Sequence, residues 1–290
     1  MFLGRLTTRS MRYWLPLAAI VAGCGGPIAA TFQGSGKVAV RAKADLPEPP
    51  TEWIPSPNFN DRPGSDLIDT VVWHHTACRS DARATARYFQ NPASQVSSHY
   101  IVDRTGYIVR CVPDAKRSWH AGRSEFAGEP NVNHYSIGIE ISNVGDNLDP
   151  YPNAQVEAIV RLTAWLCKTY DIPISRITRH RDVAIPHGRK NDTSDNYPLA
   201  YAINGVKALL AGEELPPRLE PQVPPGYDPR TKSYVVRPGD TWEEISDGEL
   251  DNPLRADEVR ALNPQVKHLK AGVKLNLPTD YDLFFKLHGH

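Results

Sequence analysis

The chain has 290 residues, with 33 basic side chains against 33 acidic ones and a formal net charge of zero. That balance excludes an electrostatic nucleic-acid binder, because phosphate binding draws on a surplus of Lys and Arg. Hydrophobic residues at 40% fit a globular chain of one or two domains, whereas 26 prolines are well above the ordinary share of ~5%.

In chain order, Arg5, Arg9 and Arg12 precede an apolar run from Tyr13 to Ala22, shorter than the ~20 residues a membrane-spanning helix needs. The run ends in Val21-Ala22-Gly23-Cys24, which resembles a bacterial lipoprotein signal, with Cys24 as the acylated residue. Gly25 follows, and the resemblance implies an outer-membrane lipoprotein facing the periplasm, or otherwise a secreted protein; the lipid would be the only membrane contact. Residues 1–24 are read as the signal peptide. Pro47, Pro49, Pro50, Pro55, Pro57 and Pro63 then mark residues 25–64 as a semi-rigid stalk, reaching ~120 Å if fully extended.

Alternating strands and helices follow. Leu67–Thr76 is a buried strand, Ser80–Gln90 a helix capped by Ser80 or Asp81, and 96–103 and 107–112 a hairpin around Arg104-Thr105-Gly106. Ser136–Ser142 is a strand that puts Ile137, Ile139 and Ile141 on one face and Gly138 and Glu140 on the other. Helices over 153–170 and 198–210 complete an α/β domain, residues 65–212, with a mixed central sheet flanked by helices. Pro216, Pro217, Pro221, Pro224, Pro225 and Pro229 make 213–231 a linker. Residues 232–279 form a small unit in which Gly239-Asp240-Thr241 turns into a helix capped by Asp240 or Thr241, and 280–290 read as a frayed tail. Cys78, Cys111 and Cys167 form no Cys-x-x-Cys pair; a Cys78–Cys111 bridge and three buried free thiols are both open.

His74 and His75 end the first strand and face opposite sides, so one of them at most serves a given pocket. A second imidazole cluster contains His180 and His187, and Glu140 is a carboxylate turned away from an all-isoleucine face. Two histidines, a carboxylate ligand and a further glutamate are the components of a hydrolytic zinc site.

Val71-Val72-Trp73-His74-His75-Thr76-Ala77, Trp119-His120-Ala121-Gly122, Ser136-Ile137-Gly138-Ile139-Glu140 and Gly188-Arg189-Lys190-Asn191-Asp192 together resemble the type-2 zinc-dependent N-acetylmuramoyl-L-alanine amidases, which share their fold with peptidoglycan recognition proteins. The resemblance implies Zn2+ held by His74, His180 and Asp192, with Glu140 as general base and then acid and Lys190 stabilising the oxyanion. It makes His99, His120 and Asn133 substrate contacts. The segment from His180 to Asp192 is two residues longer than the family pattern, with Ile185 and His187 as the extra residues and Thr193 in place of a proline. Asp182, His187 and Asp195 therefore stand as alternative third ligands. Ser233–Ile245, Leu262-Asn263-Pro264 and Leu275-Asn276-Leu277-Pro278 resemble a LysM module, which implies a small βααβ fold for residues 232–279 and glycan binding. The implied activity is hydrolysis of the amide between N-acetylmuramic acid and L-alanine of peptidoglycan, in cell-wall remodelling or recycling. The long stalk and LysM-like tail favour the polymer over 1,6-anhydro-muropeptides. A non-catalytic peptidoglycan-binding lipoprotein is the competing class, and no protein partner is implied.

Overall fold

The computed structural model describes residues 46–64 and 67–289. The signal segment, Cys24 and residues 25–45 of the expected stalk lie outside the described residues.

The remainder of the stalk differs from expectation. Glu52–Trp53 (β1) and Phe59–Asp61 (β2) are strands, and Ser56, Asn58 and Arg62 are buried. Asn58 donates through Nδ2 to the carbonyls of Phe89, Asn91 and Val96, and the Arg62 guanidinium donates to the carbonyls of Asp114, Asn133, His134 and Ser136. These residues belong to the α/β body, because their polar groups satisfy buried carbonyls that would otherwise lose hydrogen bonds.

Thr70–His75 (β3), Tyr100–Val102 (β4), Ile108–Arg110 (β5), Lys116–Ser118 (β6), Glu125–Phe126 (β7), Glu129–Pro130 (β8), Ser136–Ile141 (β9) and Ile177–Arg179 (β10) follow. The main sheet has the order β1-β5-β4-β9-β3-β10; β4 and β5 pair antiparallel, and the other neighbours run parallel. β3 and β9 lie in the middle and are buried throughout, as central strands covered on both faces must be. The expected strand over 96–103 shortens to β4, and ahead of it the Ser97 N–H turns to the Trp119 carbonyl while His99 still bonds to Gly138 of β9 and to Cys111 just past β5.

Ala82–Gln90 (α1) starts at Asp81, whose carboxylate accepts from the Ala84 N–H at 2.7 Å, and covers one sheet face. Asn153–Thr169 (α2), the single turn His180–Val183 (α3) and Leu199–Leu210 (α4) complete the body. Ile137, Ile139 and Ile141 meet Val156, Ile159, Val160, Leu162 and Val206 in the larger core, so the strand alternation orients both faces as expected. The opposite face at this point carries Gly138 and Glu140. This is an α/β fold with a mixed sheet between helices.

The proline-rich stretch after α4 does not run free: Arg218 donates to the Tyr151 carbonyl and Tyr227 to Asp146. The tail runs Ser233–Val235 (β11), Trp242–Leu250 (α5), Ala256–Leu262 (α6) and Lys274–Asn276 (β12), with β11 and β12 paired antiparallel. Thr241 caps α5 in a reciprocal box with Glu244. The last residues are not frayed: Asp282–His288 (α7) is a helix, and Phe284 is buried against Tyr88 with ring centroids 4.7 Å apart. Cys78, Cys111 and Cys167 are buried free thiols, so no Cys78–Cys111 bridge forms. Among the described residues no helix is long and apolar enough to cross a membrane.

Candidate active site

Three strand ends meet at one point. His74 on β3 is in register with Glu140 on β9, which places both side chains on the face opposite the isoleucines. On the other side of β3, Arg179 of β10 is paired with Trp73, so His180 follows one step beyond, level with His74. His75 points the other way, where its Nδ1 accepts from the Ser194 N–H at 3.2 Å, and burial holds its imidazole down at about 4. The parity of the strand thus separates the two neighbouring histidines.

His74 Nδ1 lies 3.0 Å from His180 Nδ1, and Asp192 Oδ2 lies 3.2 Å and 3.1 Å from these two nitrogens. The structure therefore brings together His74, His180 and Asp192. Of the alternative third ligands, Asp182 is paired outward with Arg179, Asp195 with Arg181, and His187 is exposed. The added length of this segment is absorbed at the surface, where Pro186, His187 and Gly188 are exposed.

The outer hydrogen bonds fix which ring nitrogen faces the cluster. Ser136 Oγ donates to the Val132 carbonyl at 2.6 Å, and it accepts from His120 Nε2 at 3.1 Å. His120 Nδ1 then accepts from His74 Nε2 at 2.9 Å, leaving the His74 Nδ1 lone pair inward. His180 Nε2 donates to the Ala121 carbonyl at 3.1 Å with the same result. Such second partners orient metal-binding imidazoles.

Two inward lone pairs 3.0 Å apart repel unless a cation lies between them. The donor set suits zinc: bonds of ~2.0–2.1 Å set tetrahedral ligand atoms roughly 3.3 Å apart, close to the spacings observed here. Asp192 Oδ1 and Glu140 Oε2 are buried and lack a hydrogen-bond partner among the described residues. Burial lowers the His180 pKa, but Asp192 and Asp251 outweigh it and hold it up at about 9. A proton and a metal ion thus compete for the same nitrogen. Burial pushes the Glu140 carboxyl well above its ordinary range, with Asp251 and Asp192 adding to the effect.

The three expected substrate contacts are all engaged in hydrogen bonds within the protein. His99 is wholly buried; Nδ1 accepts from the Gly138 N–H at 3.0 Å and Nε2 donates to the Lys116 carbonyl at 3.0 Å, so no polar atom remains for substrate. Asn133 Oδ1 accepts from the N–H groups of His120 and Ala121 and shapes that loop instead. His120 lines the cleft, but both its nitrogens are used in orienting His74. Lys190 is buried beside the cluster, 2.6 Å from Asp251 and 2.8 Å from Asp247. Asp251, at the end of α5, was not among the residues singled out from sequence. No local motif marks it, since only tail docking brings it to the strand ends.

A buried imidazole–carboxylate cluster at the ends of parallel strands, with a glutamate beside it, defines a hydrolase-type site on an α/β scaffold. Residues 63–195 match the N-acetylmuramoyl-L-alanine amidase family (Amidase_2). The chain is 39% identical over 147 residues to 1,6-anhydro-N-acetylmuramyl-L-alanine amidase AmpD of Enterobacter cloacae, covering 45% of this chain and 78% of that protein. It is 30% identical over 171 residues to the protein of the same name from Haemophilus influenzae, covering 53% and 91%. N-acetylmuramoyl-L-alanine amidase AmiD of Escherichia coli is 28% identical over 201 residues, 64% of each chain. A solved structure of a selenomethionine AmpD derivative aligns with a TM-score of 0.48 at 26% identity, covering 57% of this chain and 98% of that one. This chain belongs to the type-2 N-acetylmuramoyl-L-alanine amidase family.

Proposed function

We propose that the protein is a zinc-dependent N-acetylmuramoyl-L-alanine amidase that cleaves the bond between the lactyl group of N-acetylmuramic acid and L-alanine in peptidoglycan. The observation that carries the zinc assignment is the inward-facing Nδ1 pair of His74 and His180 with Asp192 Oδ2 within 3.2 Å. Zinc bound there would supply Lewis acidity, polarising the substrate carbonyl and making water a nucleophile near neutral pH. Glu140, buried on the strand beside His74, takes the proton from the attacking water and returns it to the leaving amine. Lys190 stabilises negative charge on the carbonyl oxygen once its carboxylate partners release it.

The antiparallel β11/β12 pair with two helices between supports reading residues 232–279 as a LysM-like module for glycan strands. Acylation at Cys24 would place the enzyme in the cell envelope, at the outer membrane. Peptidoglycan is then the partner, through both glycan and stem peptide.

The test is product release. With zinc, the purified protein is expected to liberate free stem peptide from muropeptides, and Glu140→Gln is expected to lower turnover by ~100-fold or more while still binding the polymer. Running intact sacculi and 1,6-anhydro-muropeptides side by side ranks the two substrates. Equal inertness of wild type and variant, with both retained on peptidoglycan, would instead establish a non-catalytic binding protein.

A further inference from the structure

Asp251 is held against the cluster by a part of the chain outside the family match. Its Oδ1 is 3.2 Å from His180 Nδ1 and its Oδ2 is 3.8 Å from His74 Nδ1. His74, His180, Asp192 and Asp251 each offer a ligand atom, all within 4.8 Å of one another. A carboxylate moved from water into such a place carries a large desolvation cost unless positive charge meets it. Lys190 supplies part of that charge at 2.6 Å, and a divalent ion among the four donors would supply more.

The docking around Asp251 is extensive. On one side Asp247 pairs with Arg189 at 2.9 Å and Lys190 at 2.8 Å, and Lys190 also donates to the Asp247 carbonyl. On the other side Asn252 Nδ2 donates to Tyr88 Oη at 2.6 Å and to the Ser94 carbonyl at 2.8 Å. Tyr281 stacks on Tyr88 with centroids 4.3 Å apart, and Arg255 lies over both rings. Between these clamps a cavity of about 20 Å³ remains, lined in part by Trp119, His120, Glu140 and Asp251. That is room for about one water and far too little for a muropeptide.

We infer that Asp251 is a fourth protein ligand of the metal and that residues 232–289 form a cap latched over the cleft through it. The inference rests on the zinc amidase reading above. A catalytic zinc site keeps one position open, whereas four protein donors make a closed one. In the capped form the carboxylate of Asp251 occupies the position that a water or substrate carbonyl needs, and it also engages Lys190. Substrate entry then requires Asp251 to leave, with the helix that carries it.

The test uses the full chain and Asp251→Gly, which suits the positive φ of 58° at this position, with Asp251→Asn as a shape-preserving second variant. Zinc affinity is measured by competition with a chromophoric chelator, and cap closure by the rate of proteolytic cleavage within residues 213–231, with zinc and with chelator. Wild type is expected to bind zinc at least ~10-fold more tightly than Asp251→Gly, with Asp251→Asn between them, since a charged ligand is lost. Zinc should slow cleavage of wild type but leave the rate for Asp251→Gly unchanged, and Asp251→Gly should hydrolyse muropeptides several-fold faster. Unaltered zinc affinity in both variants, with the same zinc-dependent protection as wild type, would overturn the cap and leave the amidase reading standing. If zinc affinity and protection behave as expected while no form hydrolyses muropeptides, the cap stands and the amidase reading fails.

Discussion

A Cβ at Gly138 would lie 2.6 Å from Cγ of His120, far inside contact distance, so the strand position beneath that ring has to be bare. The ring position matters because His120 accepts from His74 and determines which nitrogen of His74 faces inward. Gly138→Ala is therefore expected to weaken zinc binding and turnover by ~10–100-fold, the usual cost of disturbing a residue behind a metal ligand. Zinc competition assays on the purified variant check it, and wild-type affinity would sink the idea. His74 and Glu140 are legible as strand-end residues, whereas His180 and Asp192 are marked by the imidazole cluster and the Gly188–Asp192 motif, and the structure brings the four together. His99 and Asn133 serve buried backbone groups, since a polar side chain in a motif can do so as readily as it meets a ligand, and only its hydrogen-bond partners tell the two apart.

Elements were most legible where periodicity was strict. The alternation of β9 and the helical spacing of α2 identify their buried faces unaided, because one face of each is apolar. β1, β2, β6, β7, β8, β10, α3 and α7 were missed. β1 and β2 are two and three residues long in a proline-rich stretch, and their pairing partners β5 and β6 lie about 55 residues further on. α7 has little sequence to signal it, yet it docks Phe284 into the layer beneath Tyr88. Removing that ring is expected to destabilise the protein by ~3–5 kcal/mol, as for other buried aromatics cut to alanine. Urea unfolding of Phe284→Ala measures it; an unshifted midpoint would mean that α7 is dispensable for the fold.

At the scale of the whole molecule, buried neutral imidazoles make the fold sensitive to acid. Burial, with Arg62 nearby, holds His99 down at about 3 against 6.5 when unfolded. Between those values only the unfolded chain takes up the proton, so stability falls as pH drops from 6.5 towards 3, by at most ~1.4 kcal/mol per pH unit from this group. Above pH 6.5 the group has no effect. Denaturant midpoints of wild type and His99→Gln between pH 7 and pH 4.5 test this: the variant should show the shallower decline, and parallel declines would refute it. From sequence, the two proline runs divide the molecule into stalk, body, linker and small unit. Instead, residues 46–64 are woven into the body, and the stretch after α4 is tied down at Tyr151 and Asp146. By itself the sequence determined the α/β class and the isoleucine-lined core face, because these follow from short-range alternation, and its motifs named His74, His180, Glu140 and Asp192 while leaving Asp182, His187 and Asp195 open as third ligand. Only the tertiary structure decided that Asp251 and Lys190 meet at the same cluster and that the tail covers the cleft. Those contacts join residues some 60 to 180 positions apart through packing and paired charge, and neither leaves a periodic trace in the chain.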